Sequence, residues 1–328
     1  MPTLKDVAKK SGVSVTTVSR VLRNDQSMSV SEAKRKLILD VAKQIGYQSK
    51  HQNYLNHLHI GVVLWYDQTQ SLNDPYYMEI RDGILASAKA LGIYILTLYK
   101  TNGSYDYEQL QNIDGLILLG KFTQKEIKAF SRKTKFMVFV DSTPDTQVFD
   151  SVIIDFKAAM KSVTQYCESK NYRRIGYIGG YENNHTLKGV LEPREKYLKA
   201  YLKAQNRYDE KHFLRSPFTS KNGYEQMKAL LEKQKPLELY LCANDSIAIG
   251  AMKALHEAGY EIPQTVGIIG FNDIAQARYM HPSLTTVKIP IKAMGEEAIA
   301  SLLAKRDHPD KPPVLKILPT KLIKRHSA

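Results

Sequence analysis

Between Ser14 and Arg20 the sequence places four hydroxyl groups and a guanidinium within one short stretch, Ser14-Val15-Thr16-Thr17-Val18-Ser19-Arg20. Side chains of these types suit a nucleic-acid duplex better than they suit catalysis. An arginine carries the fork that matches O6 and N7 of guanine, a threonine can bond a base edge or a phosphate, and a valine can meet the methyl group of thymine. Ser14, Thr17 and Ser19, together with Thr3, suit phosphate oxygens, which fix register without reading sequence. Val7, Val13, Val18 and Val21 recur at the spacing of a packed core.

These residues need short helices to hold them. Residues 4–11 form an expected first helix, with Leu4, Val7 and Ala8 on one face. Gly12-Val13 breaks it, and Ser14 is a good N-cap for a second helix over 15–22 because its hydroxyl can accept from a free N–H of the first turn. After a polar loop over 23–28, Ser29 or Ser31 can cap a third helix running to about Ile45, with Leu37, Val41 and Ile45 at helical spacing. Gly46 then ends it. Two helices joined by a tight glycine-containing turn, the second short and polar on one side, form a helix-turn-helix pattern, in which the start of the second helix meets base edges. That selects Val15, Thr16 and Arg20. The spacing alone also fits any small three-helix bundle, in which Val15 would simply pack.

Charge points the same way. The 328 residues carry 47 Lys and Arg against 33 Asp and Glu, a formal net of +14. The first 60 residues hold +6 of this, so positive charge is about three times denser there than in the rest. A basic balance favours polyanions through counterion release, although a solvated surface would look similar. No run of about eighteen apolar residues suggests a membrane span, and the start of the chain lacks the apolar segment of a secretory signal. A cytoplasmic protein is therefore expected. Cys167 and Cys242 stand far apart in apolar surroundings and read as free buried thiols rather than one disulfide. No C-x-x-C or H-E-x-x-H suggests zinc, and no G-x-G-x-x-G, P-loop or G-x-S-x-G suggests an enzyme. No cofactor is expected.

Residues 47–58 are polar and lack an apolar stripe, as a linker should. From His59 onward the texture alternates. Ile60–Trp65 is a continuous apolar run, expected of a strand buried on both faces. Helices over 76–91, 124–131, 156–169, 193–204, 220–232 and 246–258 alternate with strands over 93–98, 115–119, 136–140, 152–154, 175–178, 239–242 and 266–270. Two series of such units, dividing near residue 155, imply two parallel sheets covered by helices. A ligand cleft is then expected at the carboxyl ends of the strands.

The stretch from Thr3 to Leu22 resembles the N-terminal signature of LacI/GalR-type regulators. The resemblance continues in Cys242–Ala251, in Val266–Asp273, in Leu284-Thr285-Thr286-Val287 and in Leu318-Pro319-Thr320-Lys321-Leu322-Ile323. Trp65 and Asp74–Arg81 are most similar to the branch that regulates galactose or galactoside use in low-GC Gram-positive bacteria. The resemblance implies an α/β protein: an N-terminal three-helix helix-turn-helix headpiece over 1–46, a hinge over 47–58, and a two-lobed periplasmic-binding-protein-like sensor over 59–328. The lobes are expected at about 59–155 and 156–328, with crossovers near the C-terminus.

On that resemblance, Thr3, Leu4, Ser14, Val15, Thr16, Thr17, Ser19 and Arg20 form the DNA-facing set. Arg23 stands where the family usually has Asn, adding a cation near the backbone. The hinge departs further: of Tyr47, Ser49, Lys50, Asn53, Tyr54 and Asn56, only Tyr47 fits the family pattern. Leu55, with a one-residue shift, could supply the leucine that wedges into the minor groove. Otherwise the linker is a plain tether.

The family holds its effector between the lobes, and sugars need paired hydrogen bonds to neighbouring hydroxyls with an aromatic face against their C–H surface. By position in the motifs, Arg194, Asn244 and Asn272 are the polar candidates of the second lobe, with Phe218 as platform. Trp65, Tyr76 and Asp141 are those of the first. Core packing could equally explain Trp65 and Phe218, a turn cap Asp141, and an exposed helix start Arg194. Asn272 replaces the family's usual Asp and removes a charge. The implied partners are operator DNA, a sugar effector (galactose or a galactoside) and a second copy in a homodimer. A sugar phosphate, a purine or a phosphoprotein is the alternative co-effector.

Overall fold

The computed structural model describes residues 2–22, 29–47, 55, 57–67, 75–180 and 192–328. Its contacts divide the chain into one unit of Met1–Ile60 with Ala88–Ile95 and another of Gly61–Ser87 with Leu96–Ala328.

In the first unit, helix α1 spans Leu4–Ser11, and both of its ends are written in the sequence. Thr3 accepts from the Asp6 N–H while the Asp6 carboxylate accepts from the Thr3 N–H, a reciprocal cap, and Gly12 closes the helix with a φ of 67°. Helix α2 spans Val15–Leu22. Ser14 Oγ accepts from the Thr17 N–H at 3.1 Å. Helix α3 spans Glu32–Gln44, and of the two serines considered as its cap it is Ser31 that accepts from the Lys34 N–H. Val7, Ala8, Val18, Val21, Ile38, Val41 and Ala42 form the core of this unit. Each fully buried Val or Ile contributes roughly 1.5–3 kcal/mol. The expected phase of α3 is corrected here: Leu37 is 47% exposed and Ile38 wholly buried. Leu37, Ile38 and Leu39 form an unbroken apolar triplet, so spacing alone does not fix which of them faces inward.

The larger body contains two six-stranded sheets. Strands β1 (His59–Asp67), β2 (Tyr94–Lys100), β3 (Gly115–Leu119), β4 (Met137–Val140) and β5 (Asp150–Ile154) belong to the first. Strands β6 (Ile175–Gly180), β7 (Phe213–Ser216), β8 (Leu239–Cys242), β9 (Gly267–Asn272) and β10 (Thr285–Lys288) belong to the second. The last two strands separate: β11 (Leu315–Leu318) joins the first sheet and β12 (Lys321–Ile323) the second. The orders are β11-β5-β4-β3-β1-β2 and β12-β10-β9-β8-β6-β7. β11 runs parallel to β5, and β12 antiparallel to β10. β3 and β4 are buried at every position, as expected where helices cover both faces of a sheet.

The helices of this body are α4 (Tyr76–Leu91), α5 (Gln124–Ser131), α6 (Phe156–Ser169), α7 (Pro193–Ala204), α8 (Ser220–Leu231), α9 (Asp245–Glu257) and α10 (Ile291–Asp307). α10 packs on β3, β4 and β5, so the chain returns to the first sheet after completing most of the second. Its buried face mixes Met294, Ile299 and Leu302 with Gly295, Ala298 and Ser301. A stripe built partly of small residues carries little apolar signal, and sequence reading assigned no helix there. Cys167 and Cys242 are free and buried, and burial pushes the Cys167 thiol up to about 12. Among the described residues no helix is long and apolar enough to cross a membrane.

Candidate DNA-contacting face and ligand cleft

The residues chosen for base contact lie on the open side of α2. Val15 is 41% exposed, so it is not part of the headpiece core, and Thr16 and Arg20 are exposed as well. Val18 and Val21, on the opposite side, are buried. The phosphate candidates are partly engaged within the fold. Ser14 and Thr17 share a hydrogen bond of 2.8 Å, and the Thr3 hydroxyl donates to Asp6 at 2.7 Å. Leu4 packs against the headpiece core. Ser19 is half-buried. Arg23 lies outside the described residues. Leu55 is 2% exposed, so use as a minor-groove wedge requires its release from that position.

The first-lobe ligand candidates gather around one carboxylate. Asp141 follows β4 with a φ of 64°, a left-handed conformation that Asp tolerates better than most residues. Its two oxygens accept from Tyr76 OH at 3.1 Å and Tyr77 OH at 2.6 Å. The carboxylate is therefore held by a pair of tyrosines. Trp65, half-buried near the end of β1, meets the Tyr77 ring edge-on with centroids 5.9 Å apart. Gly120 makes room for the indole: a Cβ built there would lie 1.8 Å from Trp65 Cδ1. The Trp65 Nε1 donor is buried and lacks a hydrogen-bond partner among the described residues.

In the second lobe the centre is Arg194, in the first turn of α7. Its Nε donates to Glu192 at 2.6 Å and its Nη1 donates to the Ala243 carbonyl. The guanidinium lies 5.5 Å from the Phe156 ring centroid, 5.8 Å from that of Phe218 and 5.0 Å from that of Phe271. Burial would lower its pKa, but the Glu192 carboxylate with Tyr177, and more weakly Asp141, together outweigh burial and raise it, so Arg194 stays charged. Phe218 lies over Gly180, where a Cβ would come within 2.1 Å of the ring. Asn244 caps α9: its Oδ1 accepts from the Ile247 N–H at 2.8 Å and its Nδ2 donates to the Phe218 carbonyl at 3.3 Å. Asn272 ends β9 beside Phe271, 4% exposed and with a φ of 114°.

Sequence reading overlooked Tyr77, Glu192, Phe156 and Phe271. Tyr77 adjoins the chosen Tyr76, and Glu192 precedes the helix-starting Pro193, where an acidic side chain is a natural cap. Asp245 was also missed. Wholly buried, it accepts from the Ile274 N–H at 2.8 Å and from Thr286 Oγ1 at 2.6 Å, and so fastens the start of α9 to the loop after β9 and to β10. Among the described residues no group of His, Cys, Asp or Glu is arranged to hold a metal ion.

The profile of bacterial regulatory proteins, lacI family, matches residues 3–50, and that of the periplasmic binding protein-like domain matches residues 164–328. The HTH-type transcriptional repressor MelR of Bacillus subtilis (strain 168) is 34% identical over 338 residues, covering 100% of this chain and 97% of that protein. The HTH-type transcriptional regulator GalR of Streptococcus thermophilus is 34% identical over 336 residues, covering 100% and 99%. The solved complex of the transcriptional regulator CelR with cellobiose superposes with a TM-score of 0.70 at 25% identity, over 100% of both chains. With its helix-turn-helix unit matched over residues 3–50 and its C-terminal half over residues 164–328, and with relatives 34% identical along the whole chain, the chain belongs to the lacI family of bacterial regulatory proteins and is a DNA-binding transcriptional regulator, not an enzyme.

Proposed function

We propose that this regulator represses genes for the use of galactose or a galactoside, and that an uncharged saccharide in the cleft releases it from operator DNA. In this reading residues 1–46 bind DNA and residues 47–58 form the hinge. Residues 59–328 bind the effector and form a cytoplasmic homodimer whose two-fold symmetry matches a palindromic operator. Thr3, Leu4, Ser14, Val15, Thr16, Thr17, Ser19, Arg20, Arg23 and Leu55 serve the DNA. Trp65, Tyr76, Asp141, Arg194, Phe218, Asn244 and Asn272 serve the effector.

One observation carries the effector class. The first-lobe candidates hold a carboxylate fixed by two tyrosines, and the second-lobe candidates an arginine set among three aromatic rings. Carboxylate and guanidinium supply the acceptors and donors that sugar hydroxyls need, and the rings supply an apolar face for its C–H groups. The same charges disfavour a sugar phosphate. Arg194 is already paired with Glu192 at 2.6 Å, and Asp141 adds a further negative charge. A phosphate there would meet a neutralised cation and a like charge.

That one of the two sequence relatives is a transcriptional repressor and the other a transcriptional regulator supports repression, and the cellobiose complex supports a saccharide as ligand class. The effector can shift the equilibrium only by its differential affinity for the two states of the protein.

The test uses the one tryptophan of the chain. Trp65 fluorescence is titrated with galactose, lactose, raffinose, glucose phosphates and purines, alongside gel shifts with a labelled operator. A response to galactose, lactose or raffinose together with loss of the retarded band supports the reading. A response confined to a purine, a glucose phosphate or an added phosphoprotein overturns the effector class, and no specific retardation in any condition overturns operator binding.

A further inference from the structure

The turn that carries Asn272 is unusual in its backbone. Asn272 and Asp273 are consecutive residues with φ values of 114° and 60°. Non-glycine residues persist in such conformations only where the surroundings over-determine them. Two side chains from distant parts of the chain do so here. Asp245 Oδ2 accepts from the Ile274 N–H at 2.8 Å. From the other side, Arg325 Nη2 donates to Asp273 Oδ1 at 2.6 Å while Nη1 donates to the Leu284 carbonyl at 2.7 Å. Both partners of this ion pair are shielded, their side chains being 15% and 5% exposed.

Arg325 is itself rigidly placed. Its N–H donates to Thr285 Oγ1 at 2.9 Å. Ser327, wholly buried, accepts from the Thr285 N–H at 2.8 Å through Oγ and donates to the Ile268 carbonyl at 2.6 Å. The Ile268 N–H returns a bond of 2.7 Å to the Ser327 carbonyl. The C-terminal tail is thus stitched to the starts of β9 and β10, and its arginine reaches the residue that follows β9.

We propose that Arg325 is a positioning residue for the ligand cleft: by gripping Asp273 it fixes the left-handed Asn272–Asp273 pair, and with it the donor and acceptor that Asn272 offers an effector. The fork matters, because one arm holds the Leu284 carbonyl while the other holds Asp273. A lysine has a single ammonium and no fixed fork to span both. The inference rests on the reading of Asn272 as an effector contact, and the test separates the two.

Hydrogen-exchange mass spectrometry of the unliganded full chain compares the wild type with R325Q, R325K, D273N and the double variant D273N/R325Q. R325Q and D273N each lose protection over residues 271–275 by about tenfold or more, while the peptides of α5 and the affinity for operator stay unchanged. R325K retains an intermediate level. The double variant is no worse than either single, as expected when both remove one contact.

With galactose and lactose as probes, R325Q and D273N weaken binding by about tenfold at unchanged operator affinity, and N272A weakens it at least as much. Unchanged protection over 271–275 in a folded D273N, or losses that add in the double variant, overturns the positioning role. D273N leaves the tail untouched, so a failure of R325Q to fold does not protect the proposal. If N272A leaves galactose and lactose binding as in the wild type, or none of galactose, lactose and raffinose binds the wild type, the effector reading of Asn272 fails, while the exchange result still decides whether Arg325 holds the turn.

Discussion

Arg20 and Arg194 are the same residue type at opposite extremes of exposure. Arg20 lies exposed on α2. Arg194 is buried, bonded to Glu192 and to a backbone carbonyl, and surrounded by three rings. The contrast holds for the two regions as a whole. Headpiece candidates satisfy themselves with neighbours three residues away, such as Thr3 with Asp6 and Ser14 with Thr17. Cleft candidates add bonds across long sequence separations, Tyr76 to Asp141 and Asn244 to Phe218, to local ones such as Arg194 to Glu192 and Asn244 to Ile247. A DNA face built locally can change one residue at a time with little effect on folding, whereas a cleft built from a network couples recognition to stability.

The sharpest way to break that contrast is to remove each arginine. R194A leaves the Glu192 carboxylate, its side chain only 6% exposed, without its cation, held only by Tyr177 OH at 2.7 Å and the N–H groups of residues 194 and 195. A loss of about 3–5 kcal/mol in denaturant unfolding of the body is expected, since stranding one member of a buried pair costs that much. R20A should leave stability within about 0.5 kcal/mol. Its operator affinity should fall by about 1–3 kcal/mol, the worth of a bidentate base contact. Gel shifts and denaturant melts on both variants decide the matter. Equal stability losses would erase the distinction, and undiminished operator binding by R20A would remove that residue from the DNA face.

A smaller effect tests whether the cleft is a network. Tyr76 and Tyr77 share one carboxylate, so Y77F and D141N should not add. Each is expected to weaken effector binding, and the pair to differ from the sum by about 0.5–3 kcal/mol in a double-mutant cycle read by Trp65 fluorescence. Strict additivity would mean that the tyrosines do not act through Asp141.

Much of the fold was legible because helix ends are signalled locally. The first two helices and those over 76–91, 124–131, 156–169 and 193–204 fall where their caps, glycines and apolar spacing put them. What escaped reading depends on distant partners. The return of α10 and β11 to the first sheet has no local marker, since the destination of a strand is set by pairing and not by its own residues. The phase of α3 escaped because Leu37 and Ile38 are equally apolar. In the cleft, family motifs pointed to residues that do cluster, but they hid the division of labour. Asn244 uses its side-chain oxygen to cap α9, and neither the pairing of Glu192 with Arg194 nor the bonds of Asp245 to Ile274 and Thr286 could be read before the chain was folded. Tyr77 was as visible as Tyr76, and only the geometry shows that both reach Asp141.

The mildest comparison uses one motif that occurs in both regions. Thr3 with Asp6 and Thr123 with Glu126 are both reciprocal helix caps. The first is fully exposed, and hydrogen bonds from Thr3 hold the Asp6 carboxyl below its usual 3.8. In the second, burial would raise Glu126, but the bond from Lys100 and those from Thr123 outweigh it and leave the carboxyl below its usual 4.5. The Lys100 ammonium lies 2.7 Å away. A carboxylate whose pKa is depressed by folding contributes stability above its unfolded pKa, and that contribution disappears as pH falls through the folded value. Both caps should therefore weaken on acidification below about pH 4. T3A and T123A should each cost about 1 kcal/mol at neutral pH, within the range for losing a threonine cap. The loss from T123A should be the larger, because Glu126 also keeps Lys100 in place. Calorimetry at pH 7 and pH 3 reads this directly. The deficits of both variants should shrink at the lower pH, and a deficit in T123A that stays constant would show that the half-buried cap works through packing and not through its charge.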